Sequence, residues 1–232
     1  MSKVSTYLQG HINGEISTRQ DERTKVAYDN SVIVQTPEMV AYPRTTNDVR
    51  KLVRFAWQLA EKGHTLAVHP RGEGAGTTGA AIGKGLVIDL SRHMNRIFEY
   101  EPKQRLVRLQ PGLNLGALET ALRLQSVAVP SLTGLPYGTV GGAVSDDTEG
   151  LLSGKYGATR DYVSQLEVVL DSGDVLQTGK ISKRELNRRK GLEGRIGDIY
   201  RGVDTVLEDH ADFIKEIQAH PLSDRSGYPG IF

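Results

Sequence analysis

The sequence contains no cysteine, and that one absence removes several kinds of chemistry. Disulfides, thiolate nucleophiles, cysteine-held clusters and zinc ribbons are all excluded. An excess of one charge is missing too: 29 basic against 28 acidic residues leave a formal net charge of +1. That balance supplies no general field for drawing in nucleic acid or an anionic membrane surface. No apolar run approaches the roughly 20 residues of a spanning helix. The opening MSKVSTYLQGHINGEISTRQDERT lacks the apolar core of a signal peptide. No internal repeat is visible. These absences lead to the expectation of a soluble cytoplasmic protein with no membrane span and no nucleic-acid partner. The 232 residues, 38% hydrophobic and 25% charged, suffice for one large domain or two small ones.

The first clear element opens at Pro43-Arg44-Thr45-Thr46. A threonine cap and Asp48 precede Val49, Leu52, Val53, Ala56, Trp57, Leu59 and Ala60, which predicts an amphipathic helix closed by Gly63. Thr65 to His69 reads as a strand, followed by a glycine-rich loop and strands at Leu86–Leu90, Arg96–Tyr100 and Leu106–Gln110. The turn-like Glu101-Pro102-Lys103-Gln104 makes the last two a hairpin. A helix over Leu115–Leu124 and a strand over Val127–Pro130 come next. A second hairpin joins Gln165–Leu170 to Val175–Thr178 through Asp171-Ser172-Gly173-Asp174. Lys183, Arg184, Arg188, Arg189 and Lys190 have no interleaved aromatics and read as a solvated face rather than a nucleic-acid patch. Ile199, Val203, Val206, Leu207, Phe213, Ile214 and Ile217 predict one long amphipathic helix. The order gives an α+β fold with antiparallel pairs, not a run of βαβ units.

The glycine-rich loop carries the chemistry. Gly74-Ala75-Gly76-Thr77-Thr78-Gly79 matches G-x-G-x-x-G, the dinucleotide fingerprint. That fingerprint needs a helix straight after it, so that pyrophosphate sits at the helix N-terminus. Here Ala80-Ala81-Ile82-Gly83-Lys84-Gly85 leads into another strand, and the match fails on context. A P-loop fails as well, because Gly85 stands where Ser or Thr must bind magnesium. A strand–loop–strand remains. Without side chains in the way, successive backbone N–H groups can converge on an anion, with Arg71 as a nearby positive charge. The alternative is a flexible surface turn.

Pro-Arg-Gly-x-Gly-x-Gly-x-x-Gly between two strands resembles the first FAD-binding segment of the FAD-linked oxidases, the vanillyl-alcohol oxidase / p-cresol methylhydroxylase family. The likeness continues in order through Val40-Ala41-Tyr42-Pro43, Leu86–Leu90 with Met94-Asn95-Arg96-Ile97, and Gln110-Pro111-Gly112. It goes on through Thr139-Val140-Gly141-Gly142, Lys155-Tyr156-Gly157, Asp161-Tyr162-Val163 and Leu166–Leu170. The resemblance implies a p-cresol methylhydroxylase-type FAD-binding domain of two α/β subdomains, without the C-terminal substrate domain. Its expected organisation is an extension over residues 1–35, the domain over 36–180 (subdomains meeting near 100), and a helical segment over 181–232 leading toward a substrate domain.

The same resemblance places the cofactor. Pro70, Arg71, Gly72, Glu73, Gly74, Ala75, Gly76, Thr77, Thr78 and Gly79 would wrap the pyrophosphate. Thr139, Gly141 and Gly142 would form a second phosphate and ribityl wall, and Asp147 and Gly150 in the run that follows would also bind the cofactor. Val163 would offer backbone contacts near the adenine. Members with covalent flavin often carry His where Ala75 stands, so FAD is expected to be bound non-covalently. Asp147 falls where the family commonly has Asn, with Asp146 and Glu149 beside it. Carboxylates facing a pyrophosphate would repel it, so these acids are expected to face solvent or to lie near the isoalloxazine. Glu73 is expected to turn its side chain away from the loop.

No catalytic residue is assigned. His64, His69 and His93 are isolated, and no metal-spaced cluster is evident. Ser226-Gly227-Tyr228 resembles the entry to the substrate domain, which in the family supplies most substrate contacts. The expected function is the FAD-binding portion of an oxidoreductase. It would oxidise a D-2-hydroxy acid (lactate, glycolate or 2-hydroxyglutarate) by hydride transfer to flavin N5, with a separate electron acceptor. A substrate domain or partner subunit would complete the site. A non-catalytic flavin-binding or assembly module, and a UDP-sugar enolpyruvyl reductase using NADPH, are the alternatives.

Overall fold

The computed structural model describes residues 3–219. Of these, the residues within Met1–Val163 and Val169–Gly173 form one compact unit. Those within Ser164–Val168 and Asp174–Phe232 form another. Ser226-Gly227-Tyr228 lies outside the described residues.

The first unit opens with α1 (Lys3–Gln9), β1 (Glu15–Ser17), α2 (Gln20–Lys25) and β2 (Met39–Tyr42). Next come α3 (Thr46–Glu61), β3 (Val68–Arg71) and β4 (Leu86–Asp89). The four strands make one sheet in the order β1-β2-β4-β3. β1 runs antiparallel to β2, while β2 and β3 both pair parallel with β4. The parallel pairs add to the hairpins legible in the sequence. A parallel ladder needs a crossover, and α3 supplies the one from β2 to β3. All of β2 and residues Leu86 to Ile88 of β4 are buried, as continuous apolar runs in a covered parallel sheet should be. Leu8, Ile12, Ile16, Met39, Ala41, Leu52, Leu86 and Ile88 form the core of this layer.

α3 begins at the expected cap. Asp48 N–H donates to Thr45 Oγ1 (3.2 Å), and Thr45 N–H donates back to Asp48 Oδ2 (3.2 Å). Asp48 is fully buried and also accepts from the Asn13 and Arg44 amides, each at 2.9 Å. A carboxylate holding three backbone N–H groups is satisfied without a cation. β3 starts three residues later than the hydrophobic pattern suggests. Its register against β4 runs from Val68↔Leu86 to Arg71↔Asp89, and upstream of it Ala67 meets the turn at Gly85.

β5 (Ile97–Glu101) and β6 (Leu106–Leu109) form the expected antiparallel hairpin, and α4 (Leu115–Arg123) comes after it. The strand expected over Val127–Pro130 is absent. Ser126, at φ 57°, turns the chain back so that Val127 N–H donates to Leu122 O (3.1 Å) and closes α4. Pro130, with no N–H for a ladder, instead opens a 3-10 turn over Pro130–Leu132. α5 (Val140–Asp146), α6 (Ser153–Tyr156) and a 3-10 turn over Thr159–Tyr162 complete the unit. Its second core gathers Leu113, Leu115, Leu118, Leu122, Leu132 and Ala143.

β7 (Glu167–Val169) and β8 (Val175–Gln177) pair as the expected hairpin. In the second unit the basic stretch is a helix, α7 (Lys183–Lys190), capped by Ser182. The single long helix expected afterwards is two, α8 (Arg195–Asp209) and α9 (Ala211–Ala219), interrupted at His210. The weak helix formers Asp209, His210 and Asp212 cluster at that break. Among the described residues no helix is long and apolar enough to cross a membrane.

Candidate functional site

Because β3 and β4 are parallel, residues 72–85 must travel back along the sheet without a helix to carry them. The glycine-rich segment is the first part of that return. Arg71 ends β3 with only 6% of its surface exposed. Its Nη2 donates to Tyr28 O (2.9 Å) and its Nη1 to Ala81 O (3.4 Å). The guanidinium lies under Gly74, where a Cβ would come within 2.2 Å of Nη2. Gly74 also has φ +73°, so both space and backbone conformation demand glycine there. At Gly72 a Cβ would sit 2.1 Å from Thr139 Oγ1, which brings the loop directly against the start of α5.

The loop's carbonyl and amide groups are used differently. Asn30 donates from its backbone to Gly76 O (3.0 Å) and from Nδ2 to Ala75 O (3.1 Å). The N–H groups of residues 73–78 donate to no protein acceptor among the described residues. Gly76, Thr77 and Thr78 are exposed. A run of unmatched amides over a buried cation can receive an anion. Burial pulls the Arg71 guanidinium below its ordinary pKa, and nearby Asp89, Asp29 and Tyr28 oppose that shift. It stays cationic at neutral pH. Burial pushes the Asp29 carboxyl up, but Ser31, the Gly79 amide and Arg71 outweigh it, so its pKa lies below the usual value. For Asp89 burial wins over Ser91, Arg71 and Arg92, and its pKa is raised.

The opposite wall is built by three turns. Thr139, 3% exposed, caps α5 by accepting from the Gly142 amide (3.3 Å). The Gly141 amide donates to Pro111 O (2.7 Å), and a Cβ on Gly141 would lie 2.7 Å from Pro111 Cβ. Leu115 N–H donates to Gly138 O (3.0 Å), and Val140 N–H to Leu113 O (2.9 Å). Glu73 turns its side chain out of the loop and onto this wall. Both its carboxylate oxygens accept from Asn114 Nδ2 at 2.9 Å, and Oε2 also accepts from the Gly138 amide at 2.9 Å.

The candidate residues thus fall into two groups. Residues 72–75 of the loop meet Gly138 and Thr139 at the start of α5, the helix that carries Gly141 and Gly142. Asp147, Gly150 and Val163 gather instead around the turns at 131–133 and 159–162. Asp147 has left-handed backbone (φ 48°), accepts the Arg160 amide at Oδ1 (2.8 Å) and pairs with Arg160 Nη1 through Oδ2 (3.1 Å). Its side chain is only 9% exposed, whereas Asp146 and Glu149 are exposed. The carboxylate that would have repelled a phosphate is held by an internal cation. The Gly150 amide donates to Ser131 O (2.6 Å) and Ser153 Oγ (3.0 Å), and the Val163 amide to Arg160 O (3.2 Å). Among the described residues no group of three or more metal-ligating side chains occurs.

Comparison with known proteins shows the family. Residues 37–179 match the family described as FAD binding domain. The chain belongs to that family. A D-2-hydroxyglutarate dehydrogenase of Pseudomonas putida is 34% identical over 203 residues, covering 87% of this chain and 20% of the relative. A glycolate oxidase subunit of Bacillus subtilis is 30% identical over 190 residues, covering 78% of this chain and 39% of the relative. Among solved structures, 6-hydroxy-D-nicotine oxidase from Arthrobacter nicotinovorans has 27% identity and a TM-score of 0.64 over 75% of this chain and 38% of that one. The chain therefore spans well under half the length of these relatives.

Sequence reasoning missed Asn114, Gly138 and the turn at Asp29–Asn30. Asn114 carried a usable signal, as a capping residue just before an apolar helix. Asp29 and Asn30 carried none, because only the fold brings them to residues 75–79.

Proposed function

We propose that this domain holds FAD non-covalently through the amides of residues 73–78, as the flavin-binding portion of an oxidoreductase acting on a D-2-hydroxy acid. The observation that carries the reading is the row of N–H groups without protein acceptors, lying over the buried Arg71 guanidinium and closed on one side by Thr139. A diphosphate supplies the oxygens those amides lack, and Arg71 supplies charge without its side chain obstructing the loop. Gly72 and Gly74 let the backbone approach. Thr139, Gly141 and Gly142 would line the next part of the cofactor, with Val163 near the adenine, while Asp147 and Gly150 are engaged by the turns at 159–162 and 131–133. Bound FAD would supply the two-electron oxidation of a substrate carbinol. The residues named here bind and orient.

Non-covalent attachment is favoured because residues 70–79 hold no imidazole or thiol, and Ala75 offers no nucleophile. The 2-hydroxy acid reading rests on the resemblance to dehydrogenases and oxidases of such acids, whose greater length leaves room for a substrate domain. In the same reading residues 36–180 are the cofactor domain and residues 181–232 lead toward the substrate-binding part or a partner subunit. The visible spectrum of the purified chain tests it. Flavin bands released by acid precipitation are expected. A chain that stays colourless when mixed with FAD overturns the proposal. Bound FAD that no D-2-hydroxy acid bleaches, even with the remaining part of the enzyme present, overturns the substrate class alone.

A further inference from the structure

The Glu73 carboxylate stands beside a cradle for an anion, where a negative charge is out of place, yet it is tightly held. Asn114 fixes the geometry from the other side. Its Oδ1 accepts from the Ala117 amide (3.0 Å), so its Nδ2 must face Glu73. The Gly138 amide supplies the second donor, from a turn 65 positions along the chain. Gly138 also has φ +97° and lies against Ala75, with 3.5 Å between a Cβ built there and Ala75 Cβ. Residues 73–75 are therefore fastened to the Asn114–Gly138 wall chiefly through one side chain. Charge-assisted bonds of this kind are stronger than neutral ones and rigidify what they join.

We infer that Glu73 is a positioning residue that clips the glycine-rich loop to the Asn114–Gly138 wall, while its negative charge weakens the loop's hold on an anionic cofactor. The second half of this inference rests on the FAD reading above; the first half does not. The two effects separate by substitution. In E73Q the side-chain carbonyl oxygen can still accept from the Gly138 amide and Asn114 Nδ2 once Nε2 rotates away from Asn114, but the charge is gone. In E73A both clip and charge are lost.

The test uses the full chain in two arms. Without FAD, 15N relaxation of residues 74–78 reads loop order. Order is expected to match wild type in E73Q and to fall in E73A, with the amides of β4 unchanged in both as the control for folding. With FAD, fluorescence titration is expected to show E73Q binding about three- to tenfold tighter than wild type, the size of one like-charge repulsion at a partly exposed site. E73A should bind more weakly than E73Q. Unchanged loop order in E73A overturns the clip, and E73Q binding no tighter than wild type overturns the charge effect. If wild type and both variants fail to bind FAD while the relaxation pattern holds, the clip stands and the FAD reading fails.

Discussion

At Gly72 and Asp147 single groups decide how two turns of the domain pack. A methyl on Gly72 would collide with Thr139 Oγ1, and Thr139 cannot easily yield because it is buried and bonded to the Gly142 amide. Gly72→Ala is expected to destabilise the fold by about 1–3 kcal/mol, the usual range for overpacking. Urea denaturation reads that loss, and FAD affinity should fall with it. Asp147 shows the opposite logic. Its carboxylate looks misplaced near a phosphate site but serves Arg160 twice, through backbone and side chain. Asp147→Ala should cost about 1–3 kcal/mol, because the part-buried Arg160 N–H loses its acceptor and the guanidinium loses an ion-pair partner. Asp147→Asn keeps an acceptor for the Arg160 amide and tolerates left-handed backbone, so chemical denaturation should show a smaller loss. Equal losses in the two variants would mean that the ion pair, not the amide bond, holds this turn.

Among the elements, the short helix α7 gives the clearest pH dependence. Arg188 and Arg189 both donate to the Glu185 carboxylate and hold its pKa at about 2, below the ordinary 4.5. A depressed carboxylate contributes stability that is present above its unfolded value and lost as pH falls through the folded one. The ties within α7 should therefore persist at neutral pH and weaken as acid is added from about 4.5 down to about 2. The Glu185 carboxyl carbon shift in an NMR titration reads this directly, and a midpoint near 4.5 would rule the ties out. Helix α3 was legible beforehand, because its cap, apolar stripe and closing Gly63 all lie within one segment. The strand expected over Val127–Pro130 was not. Its apolar residues fit a strand, but Ser126 bends the chain back onto α4 and Pro130 withholds a ladder donor.

For the whole molecule, FAD should act as a stabiliser of the native state. A ligand that binds only the folded chain adds about 2.7 kcal/mol at a concentration ~100 times its Kd. Thermal melts of the full chain with and without excess FAD should therefore differ by several degrees. No shift at saturating FAD would contradict a preformed cradle.

The sequence alone was enough to identify the glycine-rich loop and to reject the Rossmann and P-loop readings. Such inferences need only local order: the residues on either side of a motif, and the positions that lack side chains. Tertiary structure decided how those pieces are used. It made β3 and β4 parallel, slid Arg71 beneath Gly74, drew Asn30 to the loop's carbonyl groups, and turned Glu73 toward Asn114 and Gly138. Each of these depends on groups far apart in the chain meeting through the packing of the sheet and turns. No local pattern encodes where such partners will meet, and so two of the acids that looked like obstacles to an anion, Glu73 and Asp147, emerged as internal ties.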